Sequence, residues 1–380
     1  MTCAAATAGG GELHALLAAW LVRREAATPA DAVALYGVDA VLSACEREGV
    51  VSLMHARLSD IDALHPVPVG LMQPLAARAR LCAARSLVCV SEARKIQRAL
   101  DGVGIPTLWL KGIALGQWLY PSAHLRDIAD IDLLLPDHAT TLRAAQELAP
   151  LGYVLPNPHI AGDLVVHELL AWSERARLEL DLHWDLSNDA LFANRIMWDP
   201  LRDDAVALPE LGDAARGLSA AYALLHACMH RAVNHLTGRE NRLRWLYDIH
   251  LLWVSLSPAG QARVVDMAVE ARVAEPVLDA LDTCNRIFST PMDPTCVSDL
   301  RGATLHEPLR SSRLRSWTYF QRATLRTLRG TRKLRWLRQL AIPNFAHMRV
   351  RYGTDGAGHL SIIARRLIDG IARWRGYVRS

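Results

Sequence analysis

Two aspartates separated by a single isoleucine are the residues of this sequence best suited to chemistry. Asp130 and Asp132 flank Ile131 and are followed by the apolar run Leu133-Leu134-Leu135. In a β-strand, residues i and i+2 lie on one face about 6.5–7 Å apart, so both carboxylates can converge on one cation. Two buried carboxylates repel each other unless a metal ion or an arginine compensates their charge. The alternative is that both lie at the exposed start of a strand and cap neighbouring loops.

A third acidic residue, Asp181, lies in the alternating segment Glu179-Leu180-Asp181-Leu182-His183. If this segment is a strand beside the first, three carboxylates face one site that suits a hard divalent cation such as Mg²⁺. Two such ions about 3.5–4 Å apart can activate a hydroxyl group and hold a triphosphate for in-line displacement. Glu179 lies on the same face and could share or replace the role of Asp181. Alternation alone is also typical of the solvated outer face of a strand.

Lys111 and Gly112 lie between a short apolar run and a helical stretch. A glycine at a strand-to-helix turn lets a phosphate approach backbone N–H groups and the positive end of the helix dipole. Lys111 is one of only three lysines among 43 basic residues. It is either a point charge that contacts phosphate or an ordinary surface residue. Arg126 is the other nearby cation, and it can also be a structural partner of Asp127 or Asp130.

The elements that must position these residues follow from hydrophobic periodicity. Strands are predicted over 107–110, 128–135 and 151–155, and a hairpin over 165–172 and 178–184. Helices are predicted through 13–101, 111–120, 137–149 with Asp137 as N-cap, and from 214 almost to the end. The predicted fold class is α+β, with a small mixed β-sheet core flanked by N-terminal and C-terminal helical sections.

The predicted division of the chain has five parts: a disordered lead-in (1–12), an N-terminal helical section (13–101), the core (102–200), a helical domain (201–300) and a basic helical tail (301–380). Hydrophobic residues make up 51% and charged residues 22%. Together with the absence of a long uncharged apolar stretch, this composition excludes a disordered chain and a transmembrane protein. The seven cysteines show no CxxC spacing, and no secretory signal begins the chain, so reduced thiols and a cytoplasmic location are expected.

The net charge of +4 conceals a strong asymmetry. Residues 301–380 hold 18 basic and three acidic residues, a net +15, whereas residues 1–300 hold 25 basic and 36 acidic residues, a net −11. The tail interleaves arginine with Trp317, Tyr319, Phe320 and Trp336, a composition that can bind nucleic acid or an anionic surface. Amphipathic helices that pack on the acidic body through their arginine stems are the alternative.

Three histidines, His226, His230 and His235, lie on a predicted helix. The i, i+4 spacing of the first two can hold a transition metal, but no glutamate follows His226 as in a metalloprotease motif. Core histidines or histidines that line a site are the favoured interpretation. The acids of the Asp199–Asp213 segment show no spacing that indicates a site, so a solvated loop is expected.

Several segments in a fixed order carry a resemblance to a known family. They are Leu110-Lys111-Gly112, Leu119-Tyr120, Arg126, Asp130-Ile131-Asp132-Leu133-Leu134, Leu151-Gly152-Tyr153, Asp181-Leu182-His183-Trp184, Leu225–His230 and Leu243–Asp248. The series, which spans residues 85–255, resembles the uncharacterised nucleotidyltransferase family of the polymerase-beta-like superfamily. In that superfamily the strand-to-helix turn usually reads Gly-Ser or Gly-Gly, whereas Lys111-Gly112 stands here.

The resemblance implies transfer of a nucleotidyl group from a nucleoside triphosphate, such as ATP, with Mg²⁺ or Mn²⁺ as cofactor. It assigns Asp130 and Asp132 as metal ligands, and Asp181 as the third carboxylate, which ligates metal and helps to deprotonate the acceptor. The residues expected to contact the nucleotide are Lys111, Gly112, Arg126 and His183. The acceptor stays open, and a small molecule, a modified peptide or RNA would each fit.

Two other functions fit the same residues. One is a non-catalytic protein that retains the fold and binds nucleic acid or another partner through its arginine-rich tail. The other is a kinase-like phosphotransferase that uses the same carboxylates to move the terminal phosphoryl group.

Overall fold

Helices form most of the chain, and the strands fall in its middle. The structure, a computed structural model, describes residues 3–22, 27–62, 67–156, 158–160, 162–189, 191–236, 241–305, 307, 321–322, 324–326, 328–352, 360–366 and 368. The α-helices are α1 (Cys3–Leu21), α2 (Pro29–Tyr36), α3 (Val38–Glu48), α4 (Val51–Asp62), α5 (Val69–Gly102), α6 (Lys111–Trp118), α7 (His138–Leu148), α8 (Trp198–Asp203), α9 (Ala220–Leu236), α10 (Leu243–Ser255), α11 (Pro258–Glu270), α12 (Ala274–Phe288), α13 (Pro294–Thr304), α14 (Thr331–Ala341) and α15 (Phe345–Tyr352).

The strands form one mixed sheet in the order β3-β4-β5-β2-β1-β7-β6. They are β1 (Leu108–Leu110), β2 (Ile131–Leu134), β3 (Tyr153–Val154), β4 (Glu168–Ser173), β5 (Leu178–His183), β6 (Val206–Ala207) and β7 (Arg216–Gly217). Strand β2 is antiparallel to β1 and parallel to β5, while β4 and β5 form the predicted antiparallel hairpin. The predicted α+β class, a small mixed sheet between helical sections, is confirmed.

Strands β6 and β7 were not expected from the sequence. They fall in and just after the Asp199–Asp213 segment, which the sequence assigns to a loop, and each has two residues. A strand of two residues shows no alternation, so periodicity cannot detect it. Helix α8 also lies in this segment, and its Arg202 forms ion pairs with Asp199 and Asp203.

The two faces of the central strands differ in chemistry, as alternation predicts. On one face, Ile131, Leu133, Leu180 and Leu182 join a buried core with residues of helices α5 and α7. Asp132 alternates with these residues and therefore lies on the opposite face, which is turned towards α9 and α10. The sheet thus has an apolar back and a face that carries the polar residues of interest.

The N-terminal helical section is attached to the core by a buried carboxylate. Asp127, in the segment before β2, accepts hydrogen bonds from the backbone N–H groups of Val51 at 2.8 Å and Ser52 at 3.3 Å. These are the first two residues of α4, whose N–H groups have no partner within the helix. The negative charge also complements the positive end of the helix dipole. Asp127 therefore caps a helix that is distant in sequence.

The described part of the basic tail contacts the core through α14. Arg335 and Gln339 bond the carboxylate of Asp163, with distances of 2.5 and 2.7 Å, and Trp336 is buried against Leu164. The other face of α14 exposes several basic side chains. The predicted aromatic residues Trp317, Tyr319 and Phe320 lie outside the described residues. One face of α14 therefore packs on the core, while the role of the basic tail stays a prediction.

The stretch predicted as a disordered lead-in, residues 1–12, differs from that expectation. Helix α1 begins at Cys3 and therefore includes most of this stretch. The six cysteines from Cys45 to Cys296 that the structure describes are free thiols. Among the described residues, no helix combines the length and the apolar character that a membrane span requires. The division of the chain into domains stays a prediction.

Replacement of Asp127 by alanine is expected to destabilise the protein. Asp127→Ala leaves two buried N–H groups at the start of α4 unpaired, which costs about 1–3 kcal/mol of unfolding free energy. The urea unfolding midpoint, followed by far-ultraviolet circular dichroism, measures the loss. Asp299→Ala is a matched control, since Asp299 is an exposed residue, and it should change stability by less than about 0.5 kcal/mol. Equal midpoints for the two variants would contradict the capping role.

Candidate active site

The pairing of β2 with β5 brings two acidic residues together. In this parallel pair Asp132 lies directly opposite Asp181, and Leu134 opposite His183. Adjacent strands are about 4.8 Å apart, so side chains at paired positions on one face are neighbours. Asp132, Asp181 and His183 each offer a ligand atom, and these atoms lie within 4.8 Å of one another. The register thus gathers three polar side chains that the sequence separates by up to 51 residues.

Asp132 is the centre of this group, with only 1% of its surface exposed. Its Oδ1 atom accepts a hydrogen bond from the Lys111 ammonium at 2.5 Å and another from His183 Nε2 at 3.0 Å. Charge-assisted hydrogen bonds of this kind are stronger than neutral ones. Lys111 and His183, both predicted as nucleotide contacts, therefore also hold the predicted metal ligand in place.

The charges of the group are set by burial and by one another. Burial favours the neutral form of Asp132, but the Lys111 ammonium and the hydrogen bond from His183 hold the pKa of Asp132 well below its usual value. Burial raises the pKa of Asp181, and the neighbouring Asp132 carboxylate raises it further. The Oδ1 atom of Asp181 is buried and accepts no hydrogen bond. The charges of His183 and Lys111 oppose this rise in pKa only in part.

The imidazole of His183 lies between two carboxylates. While Nε2 donates to Asp132, Nδ1 lies 3.4 Å from Glu168 Oε2 without the geometry of a hydrogen bond. Burial opposes the charged form of His183, yet the hydrogen bond to Asp132 raises its pKa above the usual value. Glu168 lies opposite His183 in the β4–β5 pair. It is a further acidic residue of the site that the sequence did not single out.

Two predicted carboxylates lie outside the compact group. Asp130 precedes β2 in a bend, is partly exposed, and lines the cleft described below. Its carboxylate is nevertheless close enough to raise the pKa of Lys111, after the larger effects of burial and of Asp132. Glu179 lies at the other end of β5, half-buried and opposite Trp172. The role of Asp130 as a metal ligand stays a prediction.

Lys111 and Gly112 begin α6 directly after β1, as the sequence predicts. Lys111 has a φ of 50°, a left-handed conformation that is uncommon for residues other than glycine and is often found at functional sites. No side chain caps the first turn of α6, and the first N–H groups of a helix have no partner within the helix. Gly112 is buried, and a Cβ atom there would lie 3.2 Å from Arg126 Nη1. The absence of a side chain at Gly112 therefore leaves room for Arg126.

Arg126 forms a buried ion pair with a residue of α10. Its Nη2 and Nε atoms bond the Asp248 carboxylate at 2.6 and 2.8 Å, and the hydroxyl of Tyr120 donates to the same carboxylate at 2.7 Å. Nη1 of Arg126 donates to the backbone oxygen of Asp127. Arg126 thus contacts neither the carboxylate of Asp127 nor that of Asp130. Asp248, its partner, was not predicted as a site residue. The only indication in the sequence was that it lies in the Leu243–Asp248 segment on which the family resemblance rests in part.

A cleft that is open to solvent lies beside the compact group, and its cavity volume is about 170 Å³. Its lining includes Lys111, Gly112, Arg126 and Asp130 among the predicted residues, together with Arg244 and Trp245, which were not predicted. Arg244 and Asp248 are four residues apart, so helix periodicity puts both on one face of α10. This spacing was a signal in the sequence that could have identified Arg244.

The histidines of α9 that the structure describes line the same cleft. His226 and His230 have ring centroids 6.3 Å apart, and the ring of His230 meets Trp245 edge-on at 5.3 Å. Burial, reinforced by the Lys111 ammonium, lowers the pKa of His226 to about 3 and that of His230 well below its usual value. Both are therefore neutral near pH 7. The side chain of His235 lies outside the described residues.

The compact group fits a divalent cation. Its donors are two carboxylates and an imidazole, and the unpaired Asp181 Oδ1 is an oxygen ligand without a partner. Carboxylate oxygens suit Mg²⁺ and Mn²⁺, and an imidazole is more usual for Mn²⁺ and later transition metals. The residues present therefore suit the cofactor that the sequence leads us to expect, with His183 rather than Asp130 as the third nearby donor.

The comparison with known families agrees with the resemblance. A family model described as uncharacterised nucleotidyltransferase matches residues 37–289, which is more than half of the chain. The chain belongs to this family. No curated protein matches it. The matched range contains the whole sheet and the helices α9 and α10 that line the cleft.

Removal of the Lys111 ammonium is expected to make stability depend on metal. Lys111→Met leaves the buried Asp132 carboxylate without its cation, so the melting temperature of the variant in EDTA should be lower than that of the wild type. When a divalent ion is added, it can take the place of the missing ammonium. Melting curves of wild type and variant in EDTA and in MnCl₂ measure this effect, and Mn²⁺ should raise the melting temperature of the variant more than that of the wild type.

The matched control is Lys95→Met, which removes a lysine that pairs with Glu92 on α5. Its response to Mn²⁺ should equal that of the wild type. A response of Lys111→Met that is no larger than that of the control would show that metal and ammonium do not share a site.

Proposed function

We propose that this protein is a divalent-metal-dependent nucleotidyltransferase that transfers a nucleoside monophosphate from a nucleoside triphosphate to an acceptor. The observation that carries the proposal is the register that sets Asp132 beside Asp181, with the Lys111 ammonium on the same carboxylate. Family membership supports nucleotidyl transfer in general terms. The metal, the nucleotide and the roles of individual residues are the parts proposed here.

The metal would be held by Asp132 and Asp181, with His183 adjacent and Asp130 at the edge of the cleft. A bound divalent ion supplies charge neutralisation for the triphosphate and activation of the attacking hydroxyl group. Lys111 binds Asp132 through Oδ1, and His183 orients the same carboxylate from the other side. Asp181, whose pKa is raised by burial and by Asp132, would also help to deprotonate the acceptor hydroxyl group.

The triphosphate would lie at the start of α6. The uncapped N–H groups of its first turn and the adjacent ammonium of Lys111 form a cationic end to the cleft. Arg126 is already neutralised by Asp248, so we assign it to positioning of the segment before β2 rather than to direct contact with phosphate.

Replacement of Asp132 by asparagine tests the proposal. Asp132→Asn keeps the size of the side chain but removes the negative charge, so transfer should fall by roughly a hundredfold or more, the scale of a lost electrostatic contact to a transition state. The assay incubates the protein with α-labelled triphosphates, Mg²⁺ or Mn²⁺ and cell extract, and follows transfer of label and release of pyrophosphate. Circular dichroism verifies folding, and Asp213→Asn, at an exposed position, is the control with unchanged activity.

The same assay with γ-labelled triphosphates separates the kinase-like alternative. If the γ-label is transferred and a nucleoside diphosphate is released, the reaction is phosphoryl transfer and not nucleotidyl transfer. Full transfer by Asp132→Asn would refute catalysis at this group.

A second candidate function is binding of an anionic partner, such as nucleic acid, without catalysis. The specific observation is that α14 docks by Trp336 and Gln339 while Arg332, Lys333 and Arg338 stay exposed. Binding through these charges would weaken as salt increases, because counterions are released from the nucleic acid.

A salt titration of RNA binding tests this candidate. If the protein binds RNA through α14, binding is lost in the triple variant Arg332→Gln/Lys333→Gln/Arg338→Gln. Binding is retained in a second variant, in which Asp130, Asp132 and Asp181 are all changed to asparagine. Binding that depends on the aspartates and not on α14 would favour the enzyme instead. Electrophoretic mobility shifts measured between low and physiological salt provide the readout.

A further inference from the structure

The cations that line the cleft differ in how their charges are compensated. The ammonium of Lys111 is 2.5 Å from Asp132, and the guanidinium of Arg126 is 2.6 Å from Asp248. In the part of the chain that the structure describes, Arg244 forms no ion pair and no hydrogen bond. It is therefore a charged residue of the cleft without an ion-pair partner among the described residues.

The side chain of Arg244 is partly buried, and part of its guanidinium has no hydrogen-bond partner. Its Nε atom is fully buried without a hydrogen-bond partner. Burial, together with repulsion from Arg126, lowers the pKa of Arg244 to about 10. A guanidinium in such surroundings is stabilised by an anion that accepts its hydrogen bonds. The nearby Asp130 attracts it but is not within ion-pair distance.

The position of Arg244 is held by the fold rather than by a polar contact. Its stem packs against Gly49, where a Cβ atom would lie only 3.1 Å from Arg244 Cδ. Gly49 ends helix α3 with a φ of +67°, a conformation that favours glycine. The same residue thus ends a helix and leaves space for the arginine stem, which points the guanidinium towards the cleft.

The cleft is lined by a second anion-binding feature. Lys111 and Gly112, at the start of α6 where no side chain caps the helix, line the same cleft as Arg244. Backbone N–H groups and a planar guanidinium both match the oxygens of a phosphate group.

We propose that Arg244 is the anion-binding residue of this cleft and that its ligand is a phosphate group of the substrate. This assignment rests on the proposed function when the phosphate group belongs to the nucleoside triphosphate. A phosphomonoester carried by the acceptor has the same chemistry, and the experiment distinguishes the two sources. Arg244 binds and orients the phosphate so that its reacting end faces the carboxylates of β2 and β5.

The experiment measures binding of inorganic tripolyphosphate, ATP and inorganic phosphate by isothermal titration calorimetry in EDTA. Omission of metal separates anion binding from catalysis. Arg244→Gln should weaken tripolyphosphate binding by about tenfold or more, and Arg244→Lys should retain part of it because the charge remains. Arg98→Gln is the matched control, since Arg98 is exposed on α5, and it should bind as the wild type does. Circular dichroism and melting curves verify that the variants fold.

The outcomes separate the possible ligands. Loss of both tripolyphosphate and ATP binding in Arg244→Gln supports the nucleotide as the source, and loss of inorganic phosphate binding alone supports a phosphate on the acceptor. Unchanged binding of all three anions overturns the proposal. Binding in EDTA is measured without any nucleotidyl transfer taking place. The anion site can therefore stand even if nucleotidyl transfer is refuted, and it can fail while transfer is confirmed.

Discussion

The buried ion pair between Arg126 and Asp248 is the interaction on which the arrangement of the site depends. It joins the segment before β2 to α10 through two short hydrogen bonds, and Tyr120 satisfies the same carboxylate. The next residue, Asp127, caps α4. Two consecutive residues therefore attach both helical sections to the start of the strand that carries Asp132. A buried charge is tolerated only when it is paired and hydrogen-bonded, so this segment has little freedom to move.

The second constraint is charge balance at the carboxylates themselves. Asp132 is stabilised by an ammonium and an imidazole, whereas Asp181 beside it has an oxygen with no partner. The left-handed backbone of Lys111 is unfavourable for a lysine and places the ammonium next to Asp132. In the cleft, the Nε atom of Arg244 is a buried donor that has no hydrogen-bond partner among the described residues. An acceptor and a donor without partners therefore lie on neighbouring surfaces, an arrangement that agrees with the proposed binding of a metal ion and a phosphate group.

The acidic body of the protein uses several of its carboxylates as helix caps between distant segments. Besides Asp127, Glu48 accepts the N–H group of Leu243 at the start of α10. Glu307, one of the three acids of the tail, accepts those of Ala274 and Glu275 at the start of α12. Local capping rules predict Asp137, which caps its own helix. They do not reveal these residues, because the helix and its cap are far apart in sequence. Part of the excess of acids before the tail is therefore structural.

Alternation along the chain by itself determined the central strands, the hairpin and the face on which Asp132, Asp181 and His183 lie, because strand periodicity is a local property. The ordered motifs also determined the family. Only the tertiary structure decided that Asp181 pairs with Asp132 while Asp130 lies outside the compact group, since register depends on how the strands pack. It also decided that Arg126 is neutralised and Arg244 is not. Which charges meet depends on contacts between residues more than one hundred positions apart, and no local pattern encodes those contacts.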